Sequence, residues 1–144
     1  MERARPVLEL YNHAREWLEQ GVWIVCADEK TSIQARERQE APDPAVPGHP
    51  VHVSHRYKRQ GALHLFGAFS VVDGWVGGLC RQRKRLVDFQ AFVLEVVVPE
   101  AMRRGVHTVA LILDNCSTHA PKQLQGWLEE QRVARGRTVS VQVL

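Results

Sequence analysis

A chain of 144 residues and 16.4 kDa has room for one ordinary domain and too little for two well-cored ones. Its 44% hydrophobic and 24% charged residues exclude wholesale disorder, no apolar stretch approaches the ~18 to 20 residues of a membrane span, and the polar start Met1-Glu2-Arg3-Ala4-Arg5 precedes no signal-type apolar run, so a cytoplasmic protein is expected. The net charge of +3 hides an uneven distribution: from His52 to Arg85 seven cations (Arg56, Lys58, Arg59, Arg81, Arg83, Lys84, Arg85) face one acid, Asp73, which makes that segment +6, the remainder −3, and a polyanionic partner an expectation.

In chain order, Val7, Leu10, Tyr11, Ala14, Trp17 and Leu18 have the spacing of an amphipathic helix that Gly21 stops. Val22 to Ala27 is a short, β-branched apolar run, read as a strand buried on both faces that runs into Asp28. Four prolines between Ala41 and Pro50 mark a surface loop. Leu63 to Val72 and Trp75 to Cys80, joined by Asp73-Gly74, read as a hairpin with a tight two-residue turn. Leu86 to Val97 has helical spacing, with Pro99 bending or ending the helix. Thr108 to Leu113 is a second apolar strand and runs into Asp114. Ser117 or Thr118 can cap a helix with Pro121 in its first turn, and Val139, Val141 and Val143 alternate as a last strand. This order predicts an α/β sheet of about five strands, with an antiparallel hairpin and later strands joined by right-handed helical crossovers.

Most familiar chemistries are excluded. The chain has no GxGxxG, Walker or GxSxG motif and no HExxH. Its three cysteines, Cys26, Cys80 and Cys116, form no CxxC, so neither a disulfide framework nor a zinc ribbon is expected, and buried free thiols are. What remains is a design used twice, a buried strand delivering an aspartate, at Asp28 and at Asp114. Neighbouring strands lie about 4.8 Å apart, so if these two are adjacent their carboxylates can share hard cations. Two divalent ions ~3.5 to 4 Å apart can serve the attacking and leaving oxygens of a phosphodiester. Glu29 and Asn115 add oxygen donors beside the two acids, Lys30 is a candidate for neutralising a phosphate, and His119 for orienting one. Acids at strand ends are also commonplace as helix caps or solvated groups, so spacing alone leaves both readings open.

The blocks Asp28-Glu29-Lys30-Thr31-Ser32-Ile33-Gln34-Ala35-Arg36-Glu37-Arg38, Tyr57 to Ala68, and Leu111-Ile112-Leu113-Asp114-Asn115-Cys116-Ser117-Thr118-His119 together resemble the catalytic core of bacterial insertion-sequence transposases of the mariner-related DDE group. The resemblance covers about Trp17 to Leu144. It implies a ribonuclease-H-like mixed five-stranded sheet flanked by helices, with residues 1–20 a helix or linker from a preceding region and 21–144 the core. It implies Mg²⁺- or Mn²⁺-dependent DNA strand cleavage and strand transfer, with two ions in the complete family site. Asp28 and Asp114 become metal-binding catalytic acids and Asn115 and His119 supporting residues. The basic segment would track the phosphates of transposon ends and target, with no membrane partner and room for a homodimer. Family members carry a third acid on a helix after the strand that Val139 to Leu144 resembles. The chain stops before that helix, so a core lacking its C-terminal part, inactive alone, is the expectation. The alternative is a non-catalytic nucleic-acid-binding or assembly module on the same scaffold.

Overall fold

The computed structural model describes residues 5–40, 44–51, 53, 55–114, 121–134 and 139–144. Two short helices, α1 (Arg5–Asn12) and α2 (Ala14–Glu19), stand where the sequence predicts one, with a break at His13. Gly21, at φ 79°, turns the chain into β1 (Val22–Arg38). The strands β2 (Tyr57–Ser70) and β3 (Val76–Arg81) follow, and then α3 (Leu86–Phe92), a π-helical turn (Val93–Val97) and α4 (Val98–Arg104) in continuous succession. After them come β4 (Thr108–Ile112), α5 (Pro121–Ala134) and β5 (Ser140–Val143). The five strands form one mixed sheet in the order β3-β2-β1-β4-β5, with β1, β4 and β5 mutually parallel and β2 antiparallel to both its neighbours.

The apolar run of β1 is buried on both faces, as its lack of alternation predicts: Trp23, Ile24 and Val25 are all inaccessible to solvent. Trp23, Val25 and Ala27 join Phe66, Val109, Leu111 and Val141 in the main core beneath α3, α4 and α5. Phe66, Phe89 and Phe92, all in this core, lie with ring centroids 5.7 to 6.1 Å apart in edge, stacked and tilted arrangements worth more than their buried area alone. Ile24 and Ala110 face the other way, against Ala14 of α2.

Four sequence expectations change. β1 does not stop at Asp28 but runs on to Arg38, and β2 begins at Tyr57, because the two strands satisfy each other's backbone groups in a ribbon that extends beyond the sheet. The helix passes Pro99: the wider π turn precedes the proline, which sits in the first turn of α4, where a missing N–H is tolerated, and Gly105 at φ 71° ends the helix instead. The hairpin connection spans Val71–Trp75, with Asp73 accepting the Trp75 N–H at 3.3 Å, and so is longer than two residues. Cys80 is exposed on the edge strand and Cys26 half-buried, so neither is the deeply buried thiol expected; Cys116 and the Ser117 or Thr118 cap lie outside the described residues. No helix among the described residues is long and apolar enough to cross a membrane.

At the end of the sheet where the β2–β3 connection lies, a polar network ties that connection to α4. The Arg104 guanidinium stacks 4.5 Å from the Trp23 ring centroid and donates to Asp73 at 2.6 Å and to Glu100 at 2.7 Å. Trp23 donates its indole N–H to Ser70 at 2.9 Å. Hydrogen bonding from Ser70, then from Arg104 and the Trp75 N–H, holds the Asp73 carboxyl down at about 2 against an ordinary 3.8. Because that folded value is depressed, the stabilisation is fully present above pH 3.8 and disappears as pH falls toward 2. Thermal unfolding followed from pH 6 to pH 2 should show Asp73→Asn less stable than wild type at pH 6, with the difference closing at the acid end. Close packing of β3 gives a second expectation. A Cβ at Gly77 would run into the Trp75 ring and approach Val96 to 2.7 Å, so Gly77→Ala should cost about 1–3 kcal/mol in urea unfolding.

Candidate metal and nucleic-acid site

Parallel pairing of β1 with β4 sets Val25 opposite Leu111 and Cys26 opposite Ile112. Asp28 and Asp114 each stand two residues further on. Leu113 still hydrogen-bonds to Leu144 and packs with the main core, so alternation directs Asp114 to the face that Ile112 shares with Ile24 and Cys26. Both carboxylates therefore leave the sheet on one face, just past the end of the β1–β4 parallel pairing, the usual place for a site in an α/β sheet. Both residues are exposed.

The surroundings of Asp28 are open on that face. Asp28 pairs across the sheet with Gly67, and a Cβ built there would meet nothing nearer than the Asp28 carbonyl at 3.9 Å. A depression of about 310 Å³ lies beside it, lined by Cys26, Asp28, Lys30, Gly67, Phe69 and Val76. Lys30, two residues along the same face, shares that depression with the carboxylate. Tyr11 of α1 reaches the same face, its hydroxyl 3.3 Å from the Cys26 thiol; that hydrogen bond, with partial burial, pushes the phenol up to about 12 and keeps it neutral. The Asp28 carboxylate accepts the backbone N–H of Glu29 at 2.7 Å, which fixes one oxygen and leaves the other directed by it.

Glu29, expected as an additional oxygen donor, points the opposite way. Strand alternation sends it to the helix-covered face, where its side chain is 4% exposed and ion-paired with Lys84 at 2.7 Å. Among the described residues no three His, Cys, Asp or Glu side chains come together as a metal cluster. Asn115 and His119 lie outside the described residues.

The +6 segment divides into two environments. At the end of β3 and in the β3–α3 connection, Arg81 is held by both oxygens of Glu95 at 2.9 Å, Lys84 by Glu29, and Arg85 by Asp88 at 2.9 Å, acids that stand outside the basic run in sequence but meet it in three dimensions. Asp88 also accepts the Arg85 backbone N–H at the start of α3, and Arg85 lowers its carboxyl below the usual range. Arg83 is exposed and has no ion-pair partner among the described residues. The other half, Arg56, Lys58 and Arg59, lies at the start of β2 on the exposed two-stranded ribbon. There β1 contributes cations that charge counting over 52–85 missed: Arg36 stands directly opposite Arg59, and Arg38 opposite Tyr57, on one face, while Lys58 stands opposite Glu37 on the other. No apolar alternation marks the block from Asp28 to Arg38 as strand, and only its pairing with β2 brings these cations to the ribbon.

Among curated protein sequences no significant match was found. Solved structures with a similar fold include the Mos1 transposase paired-end complex with left transposon end, at 18% identity and a TM-score of 0.51, over 95% of this chain and 38% of that one. The Mos1 mariner paired-end complexes with Mn and with Mg align at 17% identity with TM-scores of 0.46, over 91% and 90% of this chain and 40% and 39% of theirs. The chain thus spans about two fifths of the Mos1 chains it resembles, and the likeness to the left-end complex shows the ribonuclease-H-like mixed sheet that the sequence motifs imply. The family model for DDE superfamily endonucleases matches residues 23–139, from the buried start of β1 to the approach to β5, and the chain belongs to that family.

Proposed function

We propose that this chain is the catalytic core of a transposase, in which Asp28 and Asp114 hold the divalent metal that serves DNA strand cleavage and strand transfer. Residues 21–144 are that core and residues 1–20 a linker from a preceding region. The observation that supports the reading is the β1–β4 register, since Asp28 and Asp114 each stand two residues past its last pair, Cys26 with Ile112. The donor set fits the ion: two exposed carboxylates are hard oxygen ligands suited to Mg²⁺ or Mn²⁺. The bound metal would supply Lewis-acid activation of the attacking oxygen and neutralisation of the phosphodiester, with two ions in the complete site. Asp28 is oriented for this by the Glu29 N–H, and Lys30 meets a phosphate oxygen from the same depression.

DNA is the partner this charge arrangement suits. Two arginines directly opposite each other on a ribbon, Arg36 and Arg59, repel unless an anion lies over them. With Arg38 and Tyr57 on the same face, they form a basic and aromatic surface for a phosphate backbone. Lys58 adds a cation on the other face of the ribbon, Arg56 one just before β2, and Arg83 is the contact from the β3–α3 connection, whereas Arg81, Lys84 and Arg85 reach phosphates only at the cost of their acidic partners. A second reading, a binding or assembly module that does not cut, is favoured by the convergence of only two acids among the described residues.

Manganese titration followed by electron paramagnetic resonance separates the two. On the first reading the chain binds Mn²⁺ in roughly the 10⁻⁴ to 10⁻³ M range of sparsely charged oxygen sites. Asp28→Asn and Asp114→Asn each weaken that binding about tenfold or more. Any nicking of supercoiled DNA is slight and vanishes in both variants. Equal Mn²⁺ affinity in wild type and both variants would sink the metal reading and leave the second.

For the DNA surface, duplex affinity measured by anisotropy across a salt series should lose about 0.9 of its logarithmic salt slope for each phosphate contact removed. Replacing Arg36, Arg38 and Arg59 by Ala together should lower the slope clearly, and Arg81→Ala should barely change it. The reverse ranking would move the interface to the β3–α3 connection.

A further inference from the structure

We infer that the Glu29–Lys84 ion pair is a positioning device for the Asp28 carboxylate, which makes Glu29 and Lys84 positioning residues rather than a metal ligand and a DNA contact. The inference rests on the metal-binding reading above. Three observations converge on it. Asp28 takes its hydrogen bond from the backbone N–H of Glu29, at 2.7 Å, so the orientation of the carboxylate is set by the peptide plane between residues 28 and 29. That peptide lies just past the last β1–β4 pair, Cys26 with Ile112, so β4 no longer holds it on one side. Two residues further on, the strand breaks register in a bulge between Lys30 and Ile33, with Ser32 at φ 56°, so between the end of the β4 pairing and that distortion the backbone of residues 28–30 is held on one side only, by Gly67, Phe66 and Leu65 of β2.

Glu29 supplies the missing constraint from the opposite face. Its side chain is 4% exposed and meets Lys84, 27% exposed, at 2.7 Å. Lys84 is itself placed by the β3–α3 connection, whose flanks are anchored by Arg81 on Glu95 and Arg85 on Asp88. A charge-assisted contact in a largely dry setting resists rotation of the peptide more strongly than a solvated one. The chain of constraint therefore runs from α3 through Lys84 and Glu29 to the N–H that holds Asp28. Outer groups of this kind orient first ligands, and their loss typically costs about 10- to 100-fold in metal affinity.

The test uses the whole 144-residue chain. Four forms are compared with wild type: Glu29→Gln, Lys84→Met, the exchange Glu29→Lys with Lys84→Glu, and the apolar pair Glu29→Leu with Lys84→Leu. Three quantities are read: Mn²⁺ affinity, hydrogen exchange and chemical shift of the residue-29 amide without metal, and thermal unfolding. Each single variant should speed exchange of that amide and weaken Mn²⁺ binding about tenfold, and the exchange variant should restore both, which a loss of stability alone would not do. Should the single variants fail to fold, the apolar pair decides, since replacing both partners of a buried ion pair is often neutral for stability. A folded apolar pair with wild-type amide protection and wild-type Mn²⁺ affinity would overturn the inference, as would single variants indistinguishable from wild type or a loss that the exchange variant does not restore. Wild-type chain that binds no Mn²⁺ would instead defeat the metal reading, and the amide measurement would then decide the positioning role by itself.

Discussion

Backbone hydrogen bonds between β1 and β4, in the register that sets Cys26 against Ile112, govern where the Asp28 and Asp114 carboxylates can lie. Side-chain direction in a strand has a period of two, so a slip by one residue would carry Asp114 to the helix-covered face, away from Asp28. That register is itself held by the core. Val25 and Leu111 are paired and both fully buried beneath the helices, while Ile24 and Ala110 are paired and buried against α2. Burial on both faces leaves no alternative pairing that keeps these side chains out of water. The site's geometry is thus a consequence of packing several residues upstream of it.

The same alternation divides neighbouring acids by function. Asp28 and Glu29 are adjacent in sequence, yet one faces an open depression and the other a nearly dry ion pair. A carboxylate buried without a partner is costly, so Glu29 requires Lys84, and Lys84 is thereby withdrawn from the surface charge that the sequence displays. Arg81 and Arg85 are withdrawn in the same manner by Glu95 and Asp88. The +6 of the segment from His52 to Arg85 overstates the charge available to a polyanion at its C-terminal end and understates it on the ribbon, where Arg36 and Arg38 of β1 join Arg59 of β2.

The ribbon itself is the least self-sufficient part of the fold. Pairing with β3 reaches only to His64, so the stretches of β1 and β2 beyond it are exposed on both faces and hold each other alone. Two strands without a buried face are marginal in water. Its cross-strand Arg36–Arg59 pair adds repulsion, and both features fit a segment whose order depends on an anionic partner.

Local pattern was enough for much of this. The buried runs Val22 to Ala27 and Thr108 to Leu113, the hairpin about Asp73-Gly74, the helix from Leu86 and the position of Asp28 and Asp114 directly after the two apolar runs were legible because a solvent-excluded strand needs continuous apolar residues and a turn needs particular backbone angles. The family was legible from the three motif blocks, two of which hold Asp28 and Asp114 directly after the buried apolar runs. The extension of β1 to Arg38 was not legible, since a polar ribbon has no buried face to impose a pattern and is defined by the strand that pairs with it. The helix through Pro99 was not legible because a π turn makes room for the proline. Which cations are spent on acids and which acid faces the depression were decided only by tertiary structure. Ion pairs such as Glu29 with Lys84 join residues far apart in the chain, and their cost and strength depend on how much water the fold removes around them.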